Sequence, residues 1–103
     1  MAFYALEKLN HLYDGYQKAF RIAGHDLLLL QQDGCSLLIE NRCPHMDAAL
    51  THATQGSGIL RCRAHGIEFR LSDGRACGPM AEVLPALKFF PIAYDGNTLG
   101  VDL

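Results

Sequence analysis

Two short segments of the chain, NRCPHMDAAL and LRCRAHGIEF, each combine one cysteine with one histidine. In the first segment one residue separates Cys43 from His45, and in the second segment two residues separate Cys62 from His65. Thiolate sulfur and imidazole nitrogen are both strong ligands for iron and zinc. Four such side chains can hold a metal, provided that the fold brings the two segments together.

Most of the remaining chain consists of short apolar or alternating runs separated by turn residues. These runs predict strands at 2–6, 17–24, 26–32, 35–41, 58–62, 67–72, 87–94 and 98–103. The pair Asp33-Gly34 between two apolar runs indicates a hairpin with a type I′ turn, which needs positive φ at both central residues. Regularly spaced short strands predict an all-β fold, an antiparallel β-sandwich or barrel. A helix over 5–12 is a weaker alternative to the strand and turn predicted there.

The pair Cys43 and His45 follows a predicted strand, and Cys62 of the second pair ends one. We therefore expect each pair to lie in a loop at the tip of a hairpin, where Pro44 would stiffen the first loop. Loops held by a rigid sheet commonly carry function.

The other cysteines and histidines are expected to have no special role. Cys35 alternates with apolar neighbours, which favours a core or strand thiol, and Cys77 lies in a predicted loop. Both are expected to be free thiols. The remaining histidines are interpreted as structural or solvent-exposed residues: His11, His25 and His52.

Length and composition set the broad class. The 103 residues, half of them hydrophobic, predict a single globular domain over 1–103. We expect no membrane segment and no secretory signal, and hence a cytoplasmic location in which cysteines are more often ligands than bridges.

The charge distribution argues against nucleic acid as a partner. The net charge is −2, whereas a nucleic-acid binder would carry a basic stripe. Residues 41–77 contain five arginines and three acidic residues, so this segment is +2 and the remainder is −4. Either the charges are scattered without consequence, or the cationic segment steers the protein toward an acidic partner.

The mixture of ligand types in each pair favours iron–sulfur chemistry over zinc. Structural zinc fingers usually supply a cysteine pair followed by a histidine pair. Here each segment supplies one of each. In a Rieske centre two thiolates hold one iron and two imidazoles hold the other, so two loops that each give one cysteine and one histidine can bind it.

Cys43-Pro-His45, followed after sixteen residues by Cys62-x-x-His65-Gly, resembles the Rieske-domain signature. The likeness continues outside the ligands, through Asn41, Arg42, Leu50, the run HGIEFRLSDG at 65–74 and Gly78-Pro79. It implies the Rieske fold, an antiparallel β-sandwich base with a small cluster-binding subdomain of two loops at about 41–79. It also implies one [2Fe–2S] cluster per chain, with Cys43 and Cys62 on the inner iron and His45 and His65 on the outer iron.

Departures from the high-potential branch of this family imply a low reduction potential. Respiratory members carry a further cysteine in each loop, where this chain has Ala48 and Ala64. Those members also place a serine and a tyrosine after the second histidine, where Ile67 and Phe69 stand here. Hydroxyl groups that donate to cluster sulfur raise the potential, so we expect a value near about −150 mV rather than about +300 mV.

We expect this chain not to be the large subunit of a ring-hydroxylating oxygenase, which resembles a Rieske domain only at its N-terminal end and then adds a catalytic non-haem iron. The 38 residues after His65 contain no histidine to bind such an iron. The resemblance thus implies not an enzyme but a Rieske-type ferredoxin. Such a protein carries single electrons from an NAD(P)H-linked flavoprotein reductase to a terminal oxygenase of the ring-hydroxylating type. Transient docking would occur at the His45/His65 tip.

Three alternatives stay open. The first is the small Rieske subunit of an NAD(P)H nitrite reductase, although many such subunits lack the four ligands. The second is an electron donor to an oxygenase other than an aromatic dioxygenase. The third is a zinc-stabilised interaction module, which leaves the matches outside the ligands unexplained.

Overall fold

The computed structural model describes residues 2–43, 49–51, 53–62, 66–78 and 83–103. His45, His65 and the other residues between these ranges lie outside the described part of the chain.

Nine strands lie within the described ranges: β1 (Phe3–Lys8), β2 (Gln17–Ile22), β3 (His25–Gln32), β4 (Cys35–Glu40), β5 (Thr54–Gly56), β6 (Ile59–Arg61), β7 (Glu68–Arg70), β8 (Ile92–Asp95) and β9 (Thr98–Asp102). They form three antiparallel sheets. Sheet 1 has the order β1-β9-β8, sheet 2 the order β2-β3-β4, and sheet 3 the order β5-β6-β7. The predicted all-β antiparallel architecture is confirmed.

Strand β3 forms the centre of the molecule because both of its faces are buried. Leu27 and Leu29 pack in one apolar cluster with residues of sheet 1, including Leu99. Leu28 and Leu30 pack in a second cluster on the opposite face, next to sheet 3. Side chains alternate between the faces of a strand, so a continuous apolar run is what burial on both faces requires.

Two-residue turns with positive φ set the register of the hairpins. Asp33 has φ 53° and Gly34 has φ 77°, which confirms the predicted type I′ turn. The turns at 23–24 and 57–58 have the same pair of positive angles. These turns fix which side chains of the paired strands face the core.

Two strand predictions were incomplete. Strand β5 was not predicted, because its sequence TQG has no apolar residue and gains its pairing only from β6. The run predicted as one strand over 87–94 is a strand only from Ile92. Before it, Phe89 forms an isolated bridge to Ile39, and Pro91, which has no N–H to donate, separates the two parts.

The beginning of the chain follows the strand prediction rather than the weaker helix alternative. Strand β1 continues to Lys8, and only a short 3₁₀ turn, Leu9–His11, follows it. Within the described ranges, no helix is both long and apolar enough to cross a membrane. The assignment of 1–103 to one domain, with its subdomain at 41–79, stays a prediction.

Candidate metal centre

The two cysteines of the predicted ligand set are buried in the same apolar cluster. Cys43 is 0% exposed and Cys62 is 2% exposed, and both pack among residues of sheets 2 and 3, with Phe69 (0% exposed) as the largest member. Cys62 directly follows β6, and two residues separate Cys43 from the end of β4. The fold thus brings two thiols, 19 positions apart in sequence, to one water-excluded region.

The two histidines of the set, His45 and His65, lie outside the described residues. Their part in the centre therefore stays a prediction from the sequence. The same holds for the positions of Ala48, Ala64 and Pro79, and for His52 and Arg63.

Loop two, residues 62–67 between β6 and β7, is closed by backbone hydrogen bonds. The Cys62 N–H donates to the Ile67 carbonyl at 2.9 Å, and the Gly66 N–H donates to the Cys62 carbonyl at 2.8 Å. Gly66 has φ 69°, and a Cβ there would lie 3.0 Å from a guanidinium nitrogen of Arg61. Since β6 and β7 pair directly, this loop is the tip of a hairpin, as predicted.

Loop one, residues 42–49 between β4 and β5, is built differently. Strand β4 belongs to sheet 2 and β5 belongs to sheet 3, so the prediction that this loop caps a hairpin was wrong. The sequence showed a strand before Cys43, but not that the chain leaves one sheet there and enters another. No ladder between its flanking strands closes this loop.

One side chain joins the two ends of loop one. The Leu50 N–H donates to Asn41 Oδ1 at 2.7 Å, and Asn41 Nδ2 donates to Thr51 Oγ1 at 2.8 Å. The chain then turns, with the Ala53 N–H donating to the Leu50 carbonyl at 2.9 Å. Asn41 was noticed in the sequence as part of a family likeness, but its function as a link between the loop ends was not foreseen.

Glutamine side chains connect sheet 3, and Ala53 just before it, to sheet 2 and to Tyr16 just before that sheet. Gln17 Nε2 donates to the Ala53 carbonyl at 2.7 Å, and Gln55 Nε2 donates to the Tyr16 carbonyl at 3.2 Å. Gln32, which is 8% exposed, donates to Gln55 Oε1 at 3.2 Å and accepts from the Gly58 N–H. Sequence reasoning missed this network. The signal that could have indicated it is a glutamine pair that ends the buried run DLLLLQQ.

Of the two alternatives for Cys35, a core thiol or a strand thiol, the structure shows the second. This residue lies in β4, and it is exposed rather than part of the core. It pairs with Gln32 at the end of the β3–β4 hairpin, beyond the leucines that fill the interior. Cys77 is half-buried, and its N–H donates to the Glu68 carbonyl at 2.8 Å.

The described arginines of the cationic segment are exposed: Arg42, Arg61, Arg70 and Arg75. Arg70 contacts Asp73 at 2.7 Å. The Arg75 N–H, and then the Arg70 guanidinium, hold the pKa of Asp73 below its usual range. Arg61 is exposed and lies against Gly66 of loop two. Part of the positive charge is therefore neutralised locally, and part lies beside the loops.

The described cysteines fit a metal centre by the chemistry of their donor atoms. Both offer sulfur from an apolar, closely packed region, which is the environment of a buried iron–sulfur ligand. Each also lies at the first part of a loop whose ends are tied together.

Comparisons with known proteins show the family of this chain. Residues 2–89 match the Rieske [2Fe-2S] domain family. The ferredoxin component of an alkene monooxygenase system from Xanthobacter autotrophicus is 31% identical over 91 residues, which cover 86% of this chain and 71% of that protein.

Solved structures show the same fold. The ferredoxin of carbazole 1,9a-dioxygenase from Nocardioides aromaticivorans superimposes with a TM-score of 0.82 at 19% identity, over 98% of this chain and 97% of that one. A ferredoxin from Sphingomonas yanoikuyae gives a TM-score of 0.84 at 23% identity, over 99% of both chains. This chain belongs to the Rieske [2Fe–2S] domain family, and its cofactor is a [2Fe–2S] cluster.

Proposed function

We propose that this protein is a Rieske-type ferredoxin, a one-electron carrier between a flavoprotein reductase and a terminal oxygenase. The observation that carries the proposal is the burial of Cys43 (0% exposed) and Cys62 (2% exposed) in one apolar cluster at the start of two loops. These are the two cysteines of the ligand signature, in a chain that matches the family over 2–89.

In this proposal Cys43 and Cys62 hold one iron, and His45 and His65 hold the other. When bound, the cluster supplies reversible one-electron chemistry. Phe69 and the apolar side chains packed around it keep water away from the sulfur atoms of Cys43 and Cys62. The two imidazoles would form the outer side, where a partner docks.

The partners follow from the same reasoning. An NAD(P)H-linked flavoprotein reductase would supply electrons, and the ring-hydroxylating type of terminal oxygenase would receive them. A second candidate acceptor is an alkene monooxygenase, because the 31% identical relative is the ferredoxin component of such a system. The chain is then not itself an enzyme. A cytoplasmic location belongs to the proposal, since an exposed thiol such as Cys35 persists best in a reducing compartment.

A low potential is also part of the proposal. Ile67 is half-buried against the group of apolar side chains that surrounds both thiols, and Phe69 is fully buried within that group. Neither side chain has a hydroxyl to donate to cluster sulfur, so the potential should lie near about −150 mV.

Iron and acid-labile sulfide analysis of the purified protein tests the proposal first. We expect about two irons and two sulfides per chain, with a red-brown colour that bleaches on reduction. Colourless protein that contains zinc and no sulfide, and that does not take up a cluster on reconstitution, would instead favour a zinc-stabilised module.

Reconstituted electron transfer tests the partners. A flavoprotein reductase is combined with this protein and either a ring-hydroxylating oxygenase or an alkene monooxygenase. Turnover that depends on this chain supports the carrier and identifies the acceptor class. Turnover only with the large subunit of a nitrite reductase would favour that alternative.

A further inference from the structure

The side chain of Asn41 hydrogen-bonds across loop one. Its Oδ1 accepts from the Leu50 N–H at 2.7 Å, and its Nδ2 donates to Thr51 Oγ1 at 2.8 Å. Its own N–H donates to the Asp26 carbonyl at 2.8 Å, which anchors it to the start of β3. The amide therefore connects the point where the chain leaves sheet 2 to the segment that leads into sheet 3.

The chemistry of these partners fixes the orientation of the amide. A backbone N–H can only donate, so the atom that faces Leu50 must be the oxygen. The nitrogen then faces the Thr51 hydroxyl, which can accept. Leu50 is 1% exposed, so its N–H would have little access to water if Asn41 lost its side chain.

The need for such a link follows from the topology. Loop two lies between paired strands, and its own backbone bonds close it. Loop one lies between strands of different sheets, so its ends have no such ladder. Cys43 is only two positions beyond Asn41, and a shift of the loop ends would move its sulfur relative to Cys62.

We propose that Asn41 is a positioning residue of loop one. Through Leu50 and Thr51 it holds the two ends of the loop at a fixed separation, and so places Cys43 beside Cys62. The proposal rests on the proposed function, because it concerns the loop that carries two of the four cluster ligands.

The test compares the cluster-loaded wild type with four variants. Asn41→Ala removes both side-chain bonds, and Thr51→Val removes one of them. Asn41→Asp keeps an acceptor for Leu50 and a second oxygen to which the Thr51 hydroxyl can donate. Asn97→Ala is the matched control, since it also removes a side-chain bond between asparagine and a neighbour, to Asn10, at an exposed site on the turn after β8.

Two properties are measured: the rate of cluster loss in the presence of a chelator, and the electron paramagnetic resonance spectrum of the reduced protein. Asn41→Ala should lose its cluster roughly tenfold faster than wild type and Thr51→Val roughly threefold faster. Asn41→Asp should stay near the wild-type rate. Both faster variants should show shifted g values, whereas Asn97→Ala should match wild type in rate and spectrum.

Each other outcome overturns the proposal in a recognisable way. Wild-type rates and spectra in Asn41→Ala would overturn the positioning role while leaving the carrier function intact. A lower melting temperature in Asn41→Ala with an unchanged spectrum would show that Asn41 stabilises the fold but does not position Cys43. If Asn41→Ala does not fold, wild-type behaviour of Thr51→Val overturns the proposal. Wild-type protein without iron and sulfide would overturn both the function and the positioning role.

Discussion

Loop one and loop two carry the same two residue types, but different bonds close them. Loop two is closed by its own backbone, with Cys62 as donor to Ile67 and as acceptor from Gly66. Loop one is closed by the side chain of Asn41, which reaches Leu50 and Thr51.

The difference comes from the sheets on either side. A hairpin tip inherits its geometry from the paired strands, so loop two needs a residue that tolerates positive φ rather than a special side chain. A crossing between sheets has no such ladder, so loop one needs a long-range side-chain bond. The two loops should therefore respond to different kinds of substitution.

The largest effect should come from the cysteines themselves, and it should be equal in both loops. Cys43→Ser and Cys62→Ser should each reduce iron and sulfide to background, because a buried ligand position has no substitute. Cys35→Ser is the matched control, since that thiol is exposed, and it should keep the full content. Full iron and sulfide content in either variant would show that the substituted cysteine is not a ligand of the cluster.

The next effect should be specific to loop two. Gly66→Ala places a Cβ on a residue with φ 69°, close to Arg61, and should destabilise the protein by about 1–2 kcal/mol. That corresponds to a melting temperature lower by about 4–8 °C per kcal/mol for a domain of this size. The measurement is a thermal melt at one fixed scan rate.

Gly56→Ala in β5 is the control for that strain. Gly56 is not among the residues with positive φ, and a Cβ there would meet nothing within 4 Å. Its melting temperature should stay near that of wild type. Equal losses in the two variants would show that positive φ at Gly66 does not determine the stability of loop two.

A smaller effect should appear in the reduction potential. Ile67→Ser places a hydroxyl at the end of loop two, and one hydrogen bond to cluster sulfur should raise the potential by about 60 mV. Ile59→Ser, in strand β6, controls for the loss of an apolar side chain and should leave the potential unchanged. A redox titration of both variants decides, and an unchanged potential in Ile67→Ser would contradict the assigned position of this side chain.

The smallest effect should lie far from both loops, at Glu7 in sheet 1. The N–H of Lys8, then the side chains of His11 and Tyr16, lower the pKa of Glu7 from 4.5 to about 2. The ionised carboxylate accepts a hydrogen bond from the Tyr16 hydroxyl at 2.9 Å. Burial, and then this hydrogen bond, raise the pKa of the Tyr16 hydroxyl.

A folded-state pKa below the unfolded value stabilises the protein above pH 4.5, and this contribution disappears as the pH falls toward about 2. Glu7→Gln should thus lower the melting temperature at neutral pH, by the equivalent of about 1 kcal/mol, and the difference from wild type should shrink over that range. Tyr16→Phe should give an intermediate profile. Parallel curves for wild type and Glu7→Gln down to pH 2 would contradict this assignment. Neither variant should alter the spectrum of the iron–sulfur cluster. An unchanged spectrum would show that the loss of stability in acid comes from Glu7 in sheet 1 and not from the cluster.

Much of the fold could be predicted because its causes are local. The turn at Asp33-Gly34 follows from the ability of these residues to adopt positive φ. The run Leu27–Leu30 predicts a buried strand by composition alone, and its four side chains are all 0% exposed. By contrast, β5 contains no apolar residue, so only its partner β6 makes it a strand.

The candidate site divides in the same way. The spacing of Cys43, His45, Cys62 and His65 was enough to predict an iron–sulfur centre, because ligand type and number are written directly in the sequence. The sequence was not enough to place loop one, which was wrongly assigned to a hairpin, or to decide whether Cys35 is a core thiol or an exposed strand thiol.

By itself, then, the sequence determined the residues that can bind the cofactor, the turns and the strands with apolar sides, since each depends on side-chain chemistry or on backbone preferences within a few residues. Only the tertiary structure decided that loop one crosses between sheets, that Asn41 joins its ends, and that glutamines connect sheet 3 to sheet 2. Such contacts join groups far apart in sequence or in different sheets, and their hydrogen bonds form only after the strands have packed, so no local pattern specifies them.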